Sequence, residues 1–155
     1  LDYIATTPLD KNRIAVIGSS FGGEVPIAAQ DSRVKVLVLI ATPSRVAVPT
    51  KDELKECQQT GYLSLLSGKR LKMAYFEDAS SYDLRKAVGN SGNAKLIIHG
   101  SLDRDVPVEQ AKELFEYAHE PKRLQIIQGG QHALRRNKDM ESILKLILEW
   151  FQLHL

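Results

Sequence analysis

Short apolar runs alternate along the chain with longer segments in which apolar residues recur at helical spacing. The runs predict strands, because a strand buried on both faces of a parallel sheet is apolar throughout. They cover residues 14–18, 34–41, 95–99 and 124–127. The helical segments cover residues 1–7, 21–30, 107–119 and 139–154. Strands that alternate with helices of this length predict an α/β fold with a mostly parallel sheet and flanking helices.

Residues 44–93 interrupt this alternation without a strong strand pattern. They contain a polar helix at 50–59, which Thr50 and Glu53 are placed to cap, and a second short helix near 82–88. We therefore expect a single domain over 1–155 with a lid insertion at 44–93. A long ordinary crossover with its own small hydrophobic cluster is the alternative.

The first strand leads directly into a turn with the sequence GSSFG at 18–22, which fits G-x-S-x-G. This pattern, between a strand and a helix, is typical of a nucleophile elbow. We expect Gly18 and Gly22 to avoid collisions of side chains with the neighbouring backbone. Ser20 is then the candidate nucleophile, and Ser19 is the weaker candidate. The alternative is a glycine-rich turn without catalytic function.

The helix begins immediately after Ser20, so its first backbone N–H groups face the same point in space as the serine hydroxyl. The N–H of Phe21 is among them. Such groups stabilise an oxyanion that forms on a substrate carbonyl. We therefore predict Phe21 as one oxyanion donor.

Two later loops leave the carboxyl ends of predicted strands, where open α/β sheets carry their sites. The loop after 95–99 contains Asp103 and Asp105, and the loop after 124–127 contains His132. The order serine, acid, histidine is that of α/β-hydrolase triads. We predict that His132 takes the proton from Ser20 and that Asp103 orients the imidazole. Asp105 competes for this role, but it also stands where it could cap the next helix.

The remaining composition narrows the function further. The 155 residues are 43% hydrophobic with a net charge of +2, which predicts a packed core and neither nucleic-acid nor membrane partners. The single cysteine, Cys57, excludes an intrachain disulfide, and no signal peptide is visible, so we expect a cytoplasmic location. No metal-ligand spacing and no nucleotide-binding motif occurs, so no metal and no cofactor is expected. His99, at a strand end, is interpreted as a structural hydrogen-bonding residue.

Three stretches, in this order, resemble the α/β-hydrolase superfamily, near its carboxylesterase, feruloyl-esterase-like and serine-aminopeptidase-like branch. They are IAVIGSSFGG, KLIIHGSLDRDVPVEQAKELFE and LQIIQGGQH. In that superfamily H-G-x-x-D-x-x-V-P carries the acid, which corresponds to Asp103, and G-x-x-H carries the base, which corresponds to His132. The family serine corresponds to Ser20. The segment 44–93 agrees with the superfamily in position only, where its members insert a cap.

The resemblance covers the C-terminal part of the superfamily fold. Its members have four strands before the elbow strand, and the loop after their third strand supplies a second oxyanion donor. Here about a dozen residues precede Ile14. We therefore expect the edge of strand 14–18 to be open, with self-association through it and weak esterase activity.

Two functions follow from these observations. The first is a serine hydrolase that cleaves small-molecule carboxylic esters through an acyl-enzyme, with thioesters and amides as other acyl substrates of the same machinery. Apolar side chains of the insertion would then form its acyl pocket: Tyr62, Leu65, Leu66, Tyr75 and Phe76. The alternative is a non-catalytic or inactive C-terminal fragment that pairs with another chain through the strand edge.

Overall fold

A computed structural model describes residues 1–64, 70–134 and 137–155. In chain order, its helices are α1 (Asp2–Ala5), α2 (Phe21–Ala29), α3 (Lys51–Thr60), α4 (Met73–Ala79), α5 (Leu84–Asn90), α6 (Val108–Tyr117) and α7 (Asn137–His154). Its strands are β1 (Ile14–Ser19), β2 (Val34–Ile40), β3 (Tyr62–Ser64), β4 (Arg70–Lys72), β5 (Ala94–Gly100) and β6 (Lys122–Ile127). The chain divides into two compact units, one formed by Leu1–Ser44 with Leu84–Leu155 and the other by Arg45–Asp83.

The first unit is built on a four-stranded parallel sheet with the order β1-β2-β5-β6. The predicted α/β class with a parallel sheet is therefore confirmed. The register pairs Ser19 with Ile40 and Gly100 with Ile127, so the carboxyl ends of the strands meet at one edge. The loops that follow β1, β5 and β6 consequently leave the sheet on the same side.

Both faces of the central strands are covered. On one face, α7 packs on β2 and β5 through Ile143, Leu146, Ile147 and Trp150. Side chains alternate along a strand, so the buried Leu37 of β2 and Ile97 of β5 belong to the other face. There α5 packs between α2 and α6. Burial on both faces explains why these strands are apolar throughout.

The edge strand β1 differs from the central strands. In the described part of the chain it pairs with β2 alone, and its residue Ile17 is 52% exposed. The open edge expected at 14–18 is thus present among these residues.

The second unit contains α3, the antiparallel pair β3–β4, and α4. Thr50 and Glu53 form the predicted capping box at the start of α3, with Glu53 N–H donating to Thr50 Oγ1 and Thr50 N–H donating to Glu53. Cys57, Leu63 and Phe76 form its small buried core.

This unit ends earlier than the predicted insertion at 44–93, at Asp83. The physical reason is α5, whose Leu84 and Val88 are buried where the helix packs against α2 and α6 of the first unit. No helix within the described ranges is both long and apolar enough to cross a lipid bilayer.

Candidate active site

Ser20 lies at the strained turn between β1 and α2. Its backbone has φ 52° and ψ −130°, a positive-φ conformation that side-chain-bearing residues rarely adopt. The turn is held on both sides, because Ser20 N–H donates to Ile40 O at 2.8 Å and Gly23 N–H donates to Ser20 O at 2.9 Å. Strain of this kind concentrates at functional sites, where the surrounding structure enforces it.

Two glycines, Gly18 and Gly23, make the turn sterically feasible. The motif suggested Gly18 and Gly22 instead. A Cβ at Gly18 would overlap the carbonyl oxygen of Gly22, as expected. At Gly22, however, a Cβ would meet nothing within 4 Å, so the expectation of a collision there is wrong. The tight position is Gly23, where a Cβ would overlap the side chain of Thr42. The motif missed it because the obstacle comes from the loop after β2, which is remote in sequence.

Asp103 is fully buried in the loop after β5 and accepts hydrogen bonds on both carboxylate oxygens. Oδ1 accepts from the backbone N–H of Asp105 at 3.0 Å and from that of Val106 at 2.9 Å. Oδ2 lies 2.8 Å from His132 Nδ1. Asp105 is exposed, and its side chain does not cap α6, whose N-cap is Pro107 without a side-chain hydrogen bond.

His132 connects this carboxylate to the serine. Because Asp103 Oδ2 can only accept, Nδ1 carries the hydrogen of a neutral imidazole. Its Nε2 then accepts from Ser20 Oγ, which lies 2.9 Å away. The His132 side chain is 25% exposed to solvent. The structure thus brings Ser20, His132 and Asp103 into one chain of hydrogen bonds.

The loops that carry Asp103 and His132 are joined to each other. Leu102 N–H donates to Gly130 O at 2.8 Å, and Gly129 N–H donates to Ser101 Oγ at 2.8 Å. A Cβ at Gly100 would overlap the backbone of Gly130, so the two loop backbones approach each other as closely as glycine permits. These contacts hold the acid loop and the histidine loop against each other, mostly through main-chain atoms.

A model of the prolyl oligopeptidase family of peptidases matches residues 2–155, which is nearly the whole chain. The chain belongs to the prolyl oligopeptidase family. It is therefore a member of the α/β-hydrolase superfamily, as the three stretches of sequence suggested. No curated protein matches the chain.

Solved structures of α/β-hydrolases share the fold of this family member. The α/β-hydrolase GrgF from Penicillium sp. sh18 has a TM-score of 0.82 at 21% identity, over 99% of this chain and 68% of GrgF. Est1E from Butyrivibrio proteoclasticus has a TM-score of 0.74 at 20% identity, over 97% of this chain and 66% of Est1E. The esterase domain of a Rhodothermus marinus protein has a TM-score of 0.70 at 24% identity, over 89% of this chain and 60% of the esterase domain. The chain thus spans about 60–68% of the length of these structures.

Phe21, the predicted oxyanion donor, is the first residue of α2. Its position at the helix N-terminus follows from the elbow, because α2 begins directly after Ser20. The Phe21 side chain is 52% exposed.

The residues predicted for an acyl pocket belong to the Arg45–Asp83 unit, and only three of them lie among the described residues. Phe76 is buried in the core of that unit, and its ring meets the partly buried Tyr75 edge to face at 5.1 Å. Tyr62, on β3, carries the guanidinium of Arg70 over its ring at 4.3 Å. Leu65 and Leu66 lie outside the described residues. The acyl pocket stays a prediction.

A cavity of about 440 Å³ opens beside the imidazole within the first unit. Its lining comes from the acid loop and the histidine loop: Leu102, Arg104, Asp105, Gln131, His132 and Ala133. Asp103, Asp105 and His132 also bring three ligand-type atoms within 4.8 Å of one another. Two of these residues already bind each other, at 2.8 Å, so a metal ion there would compete with the hydrogen bond between His132 and Asp103.

Two buried titratable residues, beside the elbow and the acid, were not predicted from the sequence to belong to the site. Glu24 follows the elbow on the buried face of α2, and burial raises the pKa of its carboxyl to about 7. His99, fully buried on β5, is bound to the backbone of Val106, as a structural role would require, but it also reaches Asp103. The H-G-x-x-D spacing is the signal that could have pointed to the second contact.

Proposed function

We propose that this chain acts as a serine hydrolase on carboxylic esters, with Ser20 as nucleophile, His132 as general base and acid, and Asp103 as the orienting carboxylate. The observation that carries the proposal is the unbroken series of hydrogen bonds from Ser20 Oγ to His132 Nε2 at 2.9 Å and from His132 Nδ1 to Asp103 Oδ2 at 2.8 Å. Membership in a peptidase family and the esterase fold of the structural neighbours support the same class of reaction.

In the first half of the reaction, Ser20 Oγ attacks the ester carbonyl carbon while its proton passes to His132 Nε2. The carbonyl oxygen becomes an oxyanion, to which the Phe21 N–H donates. When the tetrahedral intermediate collapses, the bond to the alkoxide leaving group breaks and His132 returns its proton to that group. Asp103 stays ionised and stabilises the transient imidazolium.

In the second half, a water molecule replaces the alcohol. His132 Nε2 takes a proton from the water as its oxygen attacks the acyl carbon, and the proton then returns to Ser20 Oγ as the acid leaves. The partial exposure of the His132 side chain is consistent with this step, because water must reach the imidazole after the alcohol has departed.

We propose further that Tyr62, Leu65, Leu66, Tyr75 and Phe76 form an acyl pocket suited to aromatic acids. One structural neighbour, Est1E, has been solved with ferulic acid bound. A series of nitrophenyl esters with alkyl and aromatic acyl groups tests this preference. Because Phe76 fills the core of its unit, Tyr62→Ala and Tyr75→Ala are the informative variants. An unchanged acyl preference in both would contradict the pocket.

The experiment that tests the proposed reaction combines covalent labelling with turnover. A fluorophosphonate should label the purified protein at Ser20, and Ser20→Ala should prevent it, whereas Ser19→Ala should not. Hydrolysis of a nitrophenyl ester is then compared with that of a matched thioester and a proline-containing peptide anilide. Absence of labelling would reject the serine-hydrolase assignment, and faster cleavage of the anilide would change the substrate class to peptides.

A second candidate function is supported by the edge of the sheet. β1 has one neighbour among the described residues, and its exposed Ile17 adds apolar surface to unpaired main-chain groups. We propose that a second copy of the chain pairs with this edge, since an uncovered apolar edge strand favours strand addition. Nucleic acid and membranes are not proposed as partners, and the single cysteine supports a cytoplasmic location.

A further inference from the structure

Asp103 is contacted by two histidines. His99 lies on β5, four residues before the acid, and its side chain is fully buried. Its Nε2 is 2.8 Å from Val106 O and 3.3 Å from Asp103 Oδ2. The same Oδ2 is the atom that binds His132 Nδ1.

The hydrogen on His99 can be assigned from these neighbours. Both atoms near Nε2, a carbonyl oxygen and a carboxylate oxygen, accept hydrogen bonds, so Nε2 must carry the hydrogen. Nδ1 has no hydrogen-bond partner within the described part of the chain, which fits an unprotonated ring nitrogen. His99 therefore donates its hydrogen to Val106 O, and the same Nε2–H lies close to Asp103 Oδ2, with 3.3 Å between Nε2 and Oδ2.

Donor groups face both oxygens of the Asp103 carboxylate. Two backbone N–H groups, those of Asp105 and Val106, fix Oδ1. Rotation of the carboxylate about its Cβ–Cγ bond would strain these bonds and move Oδ2 out of line with His132. The nearby Nε2–H of His99 attracts Oδ2 electrostatically and adds to the resistance against that rotation.

We propose that His99 is a positioning residue that holds Oδ2 of Asp103 in line with His132 Nδ1. The kinetic part of this inference rests on the proposed serine-hydrolase function. Because a misplacement of about 1 Å in a catalytic group can cost ~10²-fold in rate, loss of the His99 donor should lower kcat while substrate binding is kept. A purely structural role, in which His99 only ties β5 to Val106, predicts lower stability without this effect on kcat.

Two substitutions of similar size separate these roles. His99→Gln keeps an N–H near the position of the imidazole Nε2, and His99→Met removes it. Lys95→Met is the matched control, because Lys95 is also a fully buried polar residue of β5, and its Nζ binds Ser91 O and Asn93 O away from Asp103. Kinetics use a nitrophenyl ester, and thermal unfolding reports the stability of each variant.

We expect His99→Met to lower kcat by about tenfold or more with KM within about twofold, and His99→Gln to stay within about threefold of the unaltered protein. Lys95→Met should lower the unfolding temperature without this loss in kcat. Equal losses for Gln and Met, or a kcat in His99→Met equal to that of Lys95→Met, would overturn the proposal.

A spectroscopic test decides the point without turnover. The His132 N–H bound to Asp103 should give a low-field proton signal, identified by its loss in His132→Gln. We expect this signal to shift or broaden in His99→Met and to persist in His99→Gln. In the unaltered protein, nitrogen NMR should show His99 protonated at Nε2, and protonation at Nδ1 would contradict the proposal even if no variant folds. Failure of ester hydrolysis with intact NMR signatures would reject the proposed function alone.

Discussion

His132 Nε2 lies 2.9 Å from Ser20 Oγ, although 112 positions separate the two residues in sequence. The parallel sheet creates this contact, because β1 and β6 end at the same edge and each releases a loop there. The chemistry proposed for the site therefore depends on the sheet rather than on any local segment.

Removal of the serine hydroxyl should abolish turnover. We expect Ser20→Ala to lower kcat for a nitrophenyl ester by at least about 10⁴-fold, because no other group can form the acyl-enzyme. Ser19→Ala is the control, since Ser19 is the last residue of β1 and exposed, and it should retain most activity. Similar losses in both variants would indicate damage to the elbow instead of loss of a nucleophile.

The two acids of the loop after β5 should differ sharply. Asp103→Asn should lower kcat by about 10⁴-fold, because an amide can donate to His132 Nδ1 and favour the wrong tautomer. Asp105→Asn should change kcat by less than about tenfold, since Asp105 contributes its backbone N–H to Asp103, which the substitution keeps. Initial rates of ester hydrolysis measure both, and a larger loss in Asp105→Asn would reverse the assignment of the acid.

The glycines after the elbow should respond oppositely to alanine. Gly23→Ala should lower the free energy of unfolding by about 1–3 kcal/mol through overlap with Thr42. Thr42→Ala in the same chain should recover part of that loss. Gly22→Ala should be neutral or stabilising by up to about 1 kcal/mol, because space is open there and alanine favours a helix. Urea unfolding of the unaltered protein, these three variants and Thr42→Ala alone checks this, and additive effects at 23 and 42 would exclude the clash.

Stability should depend on pH through Glu24. Burial raises the pKa of its carboxyl to about 7, whereas the unfolded chain titrates near 4.5. Between these values the folded state binds the extra proton, so the free energy of unfolding falls as pH rises from about 4.5 to about 7. The loss is up to about 3 kcal/mol. Glu24→Gln should remove this part of the pH dependence in urea titrations at pH 5 and 8. An identical difference in the variant would show that Glu24 is not responsible.

A charge on the sheet edge should reduce self-association. Ile17→Lys places a charge on the exposed side of β1, and lysine on an edge strand opposes pairing with another strand. Leu148→Lys is the control, because Leu148 is similarly exposed on α7, away from the edge. Light scattering should show a smaller mass for Ile17→Lys only. A monomer in the unaltered protein would contradict pairing through β1.

The sequence predicted the sheet well because its strands are buried on both faces and are therefore apolar without interruption, as β2 and β5 show. It predicted the Arg45–Asp83 unit less well. There β3 and β4 are three residues each, too short for a clear alternation, and α4 was not predicted. Short elements of this kind depend on packing with residues that pattern analysis cannot bring together.

At the candidate site, the sequence indicated the residue types, whereas their contacts depend on the fold. Ser20, Asp103 and His132 stand in recognisable motifs, so they could be selected from the sequence. The steric need for Gly23 depends on Thr42, and the contact of His99 with Asp103 depends on the return of the loop toward β5. The contact with Thr42 cannot be identified without coordinates, and the H-G-x-x-D spacing indicates only that His99 and Asp103 are close in sequence.

The main-chain connection between the acid loop and the histidine loop has a consequence for how this protein can diversify. Leu102 is joined to Gly130 through backbone atoms, while its side chain is 60% exposed at the cavity beside His132. Arg104, Gln131 and Ala133 are likewise exposed there. Selection, natural or in the laboratory, can therefore vary the rim of this cavity while the spacing of Asp103 and His132 is inherited unchanged.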